Sequence, residues 1–119
     1  MSEVQEKFLD YLKKDRRRSF NLKEFDPDLY CVIFYSPMTV LDMEKILTLS
    51  GGGASTKDFH IFTILEKAET ENGEKAFSID FRPHLEKMDW DIISGISNRI
   101  NRRPLVSEVK KTSEITPSG

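Results

Sequence analysis

The sequence predicts a small α+β domain, with an antiparallel or mixed sheet and helices packed on one of its faces. Three observations carry that expectation. The hydrophobic period switches several times between that of a helix and that of a strand. Residues 29–35, LYCVIFY, form an almost unbroken apolar run of strand length. Turn and stop signals separate the periodic stretches: Asp26-Pro27-Asp28, Pro37, Gly51-Gly52-Gly53, Asn72-Gly73 and Pro83.

The first element is a helix over residues 3–14. Val4, Phe8, Tyr11 and Leu12 recur at helical spacing and share one face, Ser2 is placed to cap it, and Glu3 and Glu6 suit its positive end. Lys13 and Lys14 fall in its last turn. A helix of this length is not stable alone, so its apolar face must rest on the domain or on a partner. Residues 15–28 are a polar connection through Arg16, Arg17 and Arg18, anchored by Phe20, Leu22 and Phe25, with a short edge strand expected at 20–22.

Residues 29–35 read as a central strand covered on both faces. Thr39 and Asp42 have capping-box spacing, and Val40, Met43, Ile46 and Leu47 then line one face of a helix reaching about Ser50. The three glycines stop that helix. Residues 59–66 read as a second strand, with Phe59, Ile61 and Leu65 on one side and Phe62 and Ile64 on the other. Asn72-Gly73 is a favoured reversal, and Phe77, Ile79 and Phe81 alternate behind it, so 59–81 reads as an antiparallel hairpin. Leu85, Met88, Ile92, Ile96 and Ile100 then line one long helix over 84–101, with a short last strand at 105–109. Behind the leading helix this is the strand-helix-strand-strand-helix order of ferredoxin-like sandwiches, as topology only. A single domain over 1–109 and a flexible C-terminal tail over 110–119 are expected.

Composition narrows the functional classes. The chain has 119 residues, 38% hydrophobic and 32% charged, which suits one folded domain. Its net charge of -2 gives no strong global attraction to nucleic acid or to a membrane, so any such attraction must be local. Cys31 is the only cysteine, which excludes an internal disulfide and a thiolate metal cluster from one chain. Between Tyr30 and Val32 it is expected to be a buried thiol. No apolar run approaches membrane-spanning length, so no membrane insertion is expected. The expected setting is cytoplasmic, in a bacterial or host-cell cytosol, and a phage or viral accessory protein fits the class.

No catalytic constellation stands out. His60 and His84 show no ligand spacing for a metal, and no cofactor or metal is expected. The glycine loop has a helix before it and, on this reading, a strand after it, the reverse of a phosphate cradle. Two basic segments carry more chemistry. Lys13, Lys14, Arg16, Arg17 and Arg18 form one, and Arg99, Arg102 and Arg103, followed by Lys110 and Lys111, form the other. If they converge, they can grip phosphates despite the mild global charge. Exposed aromatics on a sheet would add base stacking, but Ala76 and Ser78 stand where those rings are needed.

The leading expectation is therefore a non-enzymatic protein-interaction or regulatory domain. Its contact surface would use Phe8, Tyr11, Leu12 and Trp90, with another protein or a second copy of itself as partner. The alternative is a binder of RNA or single-stranded nucleic acid through the two basic segments.

Overall fold

The computed structural model describes residues 1–52 and 56–102. Among them the fold is mixed α+β, with five α-helices and a two-stranded antiparallel sheet. Helix α1 spans Glu3–Leu12, strand β1 Arg18–Asn21 and strand β2 Val32–Tyr35. Helices α2 (Val40–Leu49), α3 (Thr56–Lys67), α4 (Arg82–Leu85) and α5 (Trp90–Asn101) follow. The expected strand at 105–109 and the tail 110–119 lie outside the described residues.

Several local expectations hold for the reasons that suggested them. Ser2 Oγ accepts the Gln5 amide at 3.1 Å, and Gln5 Oε1 accepts the Ser2 amide, closing a capping box on α1. Lys13 and Lys14, expected in the last turn of α1, instead stand just beyond it, because the helix ends at Leu12. The Thr39–Asp42 box is present at 3.0 and 3.1 Å and starts α2. Gly51 and Gly52, at φ 82° and 79°, end α2 in the left-handed region. The edge strand is β1, whose Arg18 stands opposite Tyr35 and Asn21 opposite Val32.

The largest difference concerns residues 59–66. They belong to α3, not to a strand. Residues His60–Leu65 are all buried, so this helix is enclosed on nearly every side and its sequence shows little amphipathic period. A short, fully buried helix and a buried strand have the same pattern of apolar residues. Helix α3 packs on α5 and α2 and forms the centre of the core with Phe20, Ile33, Tyr35, Ile46, Ile92, Ile96 and Ile100.

The hairpin expected over 59–81 is accordingly absent. The reversal at Asn72-Gly73 is real, with Gly73 at φ 87° and the Thr70 amide donating to Glu74 O at 2.8 Å. Its flanks form only isolated bridges, Phe34 to Glu69 and Glu69 to Lys75. Residues Ile79–Phe81 make a 3₁₀ turn in which Ile79 is exposed and Phe81 stacks on Phe77, at 5.4 Å between ring centroids. The ferredoxin-like order, which needs that hairpin, is not the arrangement found.

Three further corrections follow. The long last helix is broken into α4 and α5 across residues 86–89; Leu85, Ile92, Ile96 and Ile100 are buried as the spacing predicts, but Met88, within the break, is exposed. The 29–35 run is a strand only from Val32, and its faces alternate: Ile33 and Tyr35 are buried and Val32 is exposed. Cys31 precedes the strand and is an exposed free thiol, not a buried one.

Candidate functional site

The two basic segments meet at the ends of β1, β2 and α5. Arg18 and Tyr35 are register partners at one end of the sheet, and Arg102 caps the C-terminus of α5. Between them lies a cleft of about 280 Å³ lined by Tyr11, Arg16, Arg18, Tyr35, Asn101 and Arg102, with the Pro37–Val40 segment along one side. Three of its lining residues are arginines, and no carboxylate lines it among the described residues. In an acidic molecule this is a local concentration of positive charge.

The geometry within the cleft is partly built. The Arg16 guanidinium lies 4.9 Å from the centroid of the Tyr11 ring, a cation–π contact. Arg18 Nη1 donates to the main-chain Arg16 O at 3.2 Å, which holds the Arg18 guanidinium beside that of Arg16. Burial pushes the Tyr35 hydroxyl above its ordinary pKa, against the opposing charges of Arg99, Arg18 and Arg102. Two lining residues keep buried polar atoms without a partner among the described residues, Arg16 Nε and Asn101 Oδ1. Each such atom costs about 1–3 kcal/mol when nothing pairs with it.

The other arginines are engaged elsewhere. Arg17 Nη1 donates to Glu71 O at 2.8 Å and its Nη2 to Thr70 O, while its Nε lies 3.4 Å from Glu69. Arg99 pairs with Glu24 and lies over the Phe20 ring at 4.9 Å. Both tie the reversal and the 3₁₀ turn after β1 to the body and are structural. Lys13 and Lys14 are exposed beside the cleft sequence but do not line it. Arg103, Lys110 and Lys111 lie outside the described residues.

The expected protein-contact residues divide in a similar way. No residue of α1 is buried. Val4, Phe8 and Leu12 are 64%, 69% and 59% exposed, so the apolar stripe of this helix is bare. Trp90 is also exposed, but it sits over His60, at 5.4 Å between rings, and does not line the cleft. A second bare face was not anticipated. Val40, Met43, Ile46 and Leu47 share the apolar face of α2, yet only Ile46 is buried. Met38, Val40, Met43 and Leu47 instead line a wide, open apolar shelf that shares Met38, Thr39, Val40 and Asn101 with the cleft.

The sequence could not show Tyr35, Asn101 or the shelf as site residues. The missing signal was the β1–β2 register, which sets Tyr35 beside Arg18. Among the described residues no three His, Cys, Asp or Glu side chains come together as a metal site. The glycine loop leads into a helix, not the expected strand, but the helix before it and the order Ser55-Thr56-Lys57, with the hydroxyls ahead of the lysine, still differ from a phosphate cradle. No helix of the described residues is long and apolar enough to cross a membrane.

His60 is a buried structural histidine. Its Nδ1 lies 2.6 Å from Ser97 Oγ, joining α3 to α5, and burial lowers its pKa below the ordinary value. The fold therefore keeps the ring neutral, while the unfolded chain takes up a proton once the pH falls below about 6.5. Stability should decline from that pH downward and stop declining once the folded-state pKa is passed. Denaturation at stepped pH should show a steeper loss between pH 7 and 5 for the native chain than for His60→Gln. Equal slopes would mean that His60 is solvated.

Comparison with protein-family models, with curated proteins and with solved structures returned no match.

Proposed function

We propose that this chain is a non-enzymatic protein-interaction module, and that the partner it is built to take is a second copy of itself. The observation that carries the proposal is the uncovered apolar stripe of α1. A capped ten-residue helix with no buried residue has no reason to persist in water unless something covers it. The chain also presents an uncovered apolar face of a second kind, the α2 shelf of Met38, Val40, Met43 and Leu47. In a two-fold dimer, α1 of each copy lies on the shelf of the other, and both bare faces are covered at once.

The magnitudes favour a symmetric contact. Burying Val4, Phe8 and Leu12 contributes roughly 1.5–3 kcal/mol per side chain. Association costs about 4–15 kcal/mol in lost freedom of motion. One helix on one shelf gives about 4.5–9 kcal/mol, within the range of that cost, and two such contacts give about 9–18 kcal/mol, which exceeds it over most of the range. The acidic residues Glu3, Glu6 and Asp10 lie opposite the stripe and stay in solvent. A reducing, cytosol-like compartment suits the exposed Cys31, which would there remain a thiol.

Sedimentation of the full chain over a range of concentrations tests the proposal. A reversible dimer is expected, and Phe8→Asp and Val40→Asp should each shift it to monomer while the near-ultraviolet spectrum stays native. A chain that is monomeric throughout, or a dimer indifferent to both substitutions, would overturn it.

A further inference from the structure

We propose that the cleft between Arg16, Arg18 and Arg102 is a binding site for a phosphomonoester, the group carried by a nucleotide or by the 5′ end of a single nucleic-acid strand. Four observations support this class of ligand. The cleft gathers three arginines and no carboxylate among the described residues, although the chain as a whole is acidic. A guanidinium presents planar, paired donors that match phosphate oxygens, and the dianion of a monoester gains most from several of them.

Arg16 and Arg18 are not neutralised internally. Unlike Arg17 and Arg99, neither pairs with a carboxylate among the described residues. Arg16 also holds a buried Nε donor that lacks an acceptor, and Asn101 a buried Oδ1 acceptor that lacks a donor. A phosphate oxygen would satisfy the first, and a hydroxyl of an attached sugar the second. Such orphaned groups are rare in folded proteins and call for a partner.

Size sets the limit on what enters. At about 280 Å³ the cleft is near the lower bound of ligand pockets, about 300 Å³. It has room for one phosphate with its sugar and is too small to hold a long strand. The half-covered Tyr11 ring stands at its margin, where a base has an aromatic surface to meet. This differs from the broad electrostatic grip expected of two basic segments, because Arg17 and Arg99 are spent on structure.

Calorimetric titration of the full chain with AMP, adenosine, inorganic phosphate and a short oligonucleotide, either 5′-phosphorylated or 5′-hydroxyl, tests the proposal. AMP should bind and adenosine should not. Arg16→Gln and Arg18→Gln should each weaken AMP binding by about tenfold or more, as expected for loss of a charged hydrogen bond, with melting unchanged. A free nucleotide is the ligand if AMP binds as tightly as the phosphorylated strand. The strand end is the ligand if the phosphorylated strand binds about tenfold tighter than both AMP and the hydroxyl strand. Three results would each overturn the site: adenosine binding as well as AMP, both strands binding alike, or affinities unmoved by the two arginine substitutions. No heat with any of the probes would overturn it as well. Arg16 and Arg18 do not line the α2 shelf, so this result is separate from the test of self-association.

Discussion

Ile64→Ala is expected to destabilise the fold by about 3–4 kcal/mol, within the ~2–5 kcal/mol found when a large aliphatic side chain is emptied from a core. Ile64 has no exposed surface and sits mid-helix in α3, the helix that packs on α2 and α5. Removing its outer carbons loses about 0.8 kcal/mol per buried CH₂, and the cavity adds the rest because rigid neighbours cannot close it. Against a total stability of about 5–15 kcal/mol this is a large fraction. The matched control is Ile79→Ala. Ile79 is 60% exposed, so its loss should cost less than about 0.5 kcal/mol. Urea denaturation should show a lowered midpoint with an unchanged slope for the first variant and little change for the second. The pair is discriminating, since a hairpin over 59–81 would make Ile79 an inward-facing residue of comparable cost. Equal effects would argue for that hairpin and against α3.

This contrast shows where the fold was legible. Helix α2, its Thr39–Asp42 box, the glycine stop and the Asn72-Gly73 reversal were all readable, because each is set by a few adjacent residues. The α+β class was readable too, from β1 and β2. Residues 59–66 were not, since a helix enclosed on almost every side loses the periodicity that would betray it. The apparent alternation of Phe77, Ile79 and Phe81 had another cause: Phe77 and Phe81 stack on each other in a tight turn, and Ile79 points away. The break before α5 was hidden because Leu85 and Ile92 are buried on either side of it.

The candidate site was legible as ingredients and not as an arrangement. The arginine segments and the α1 stripe are visible as patterns. Which arginines line one cleft depends on long-range placement: Arg17 goes to the reversal at Thr70 and Glu71, and Arg99 to Glu24, whereas Arg16, Arg18 and Arg102 line the cleft. Periodicity likewise marks Val40, Met43 and Leu47 as an apolar face but cannot say that nothing in the same chain covers it.

The second large effect concerns Asp42, which closes the α2 capping box and also receives Lys67. Its Oδ2 lies 2.5 Å from Lys67 Nζ, whose side chain is only 10% exposed and whose other partner is Pro37 O at 3.3 Å. Asp42→Asn keeps the size but leaves an ammonium enclosed without a counter-charge. Breaking a fully buried pair in this way costs about 3–5 kcal/mol. Asp42 is itself about one-third exposed, so about 2–3 kcal/mol is expected. Lys67→Met should cost less, about 1 kcal/mol, because the apolar stem is replaced and the carboxylate left behind can reach water. The double variant should then be more stable than Asp42→Asn alone. Acid supplies an independent check. Burial pushes the Asp42 carboxyl up, but hydrogen bonds from Lys67 and the Thr39 amide outweigh it and hold its pKa below the ordinary value. Glu66, between Lys45 and Lys75, is lowered in the same way. Both contributions are complete above the ordinary carboxylate pKa, about 4, and vanish as the pH falls through the lower folded-state values. Asp42→Asn should therefore lose less stability than the native chain over that acid range. A double variant no more stable than Asp42→Asn would show that Lys67 reaches solvent and needs no counter-charge.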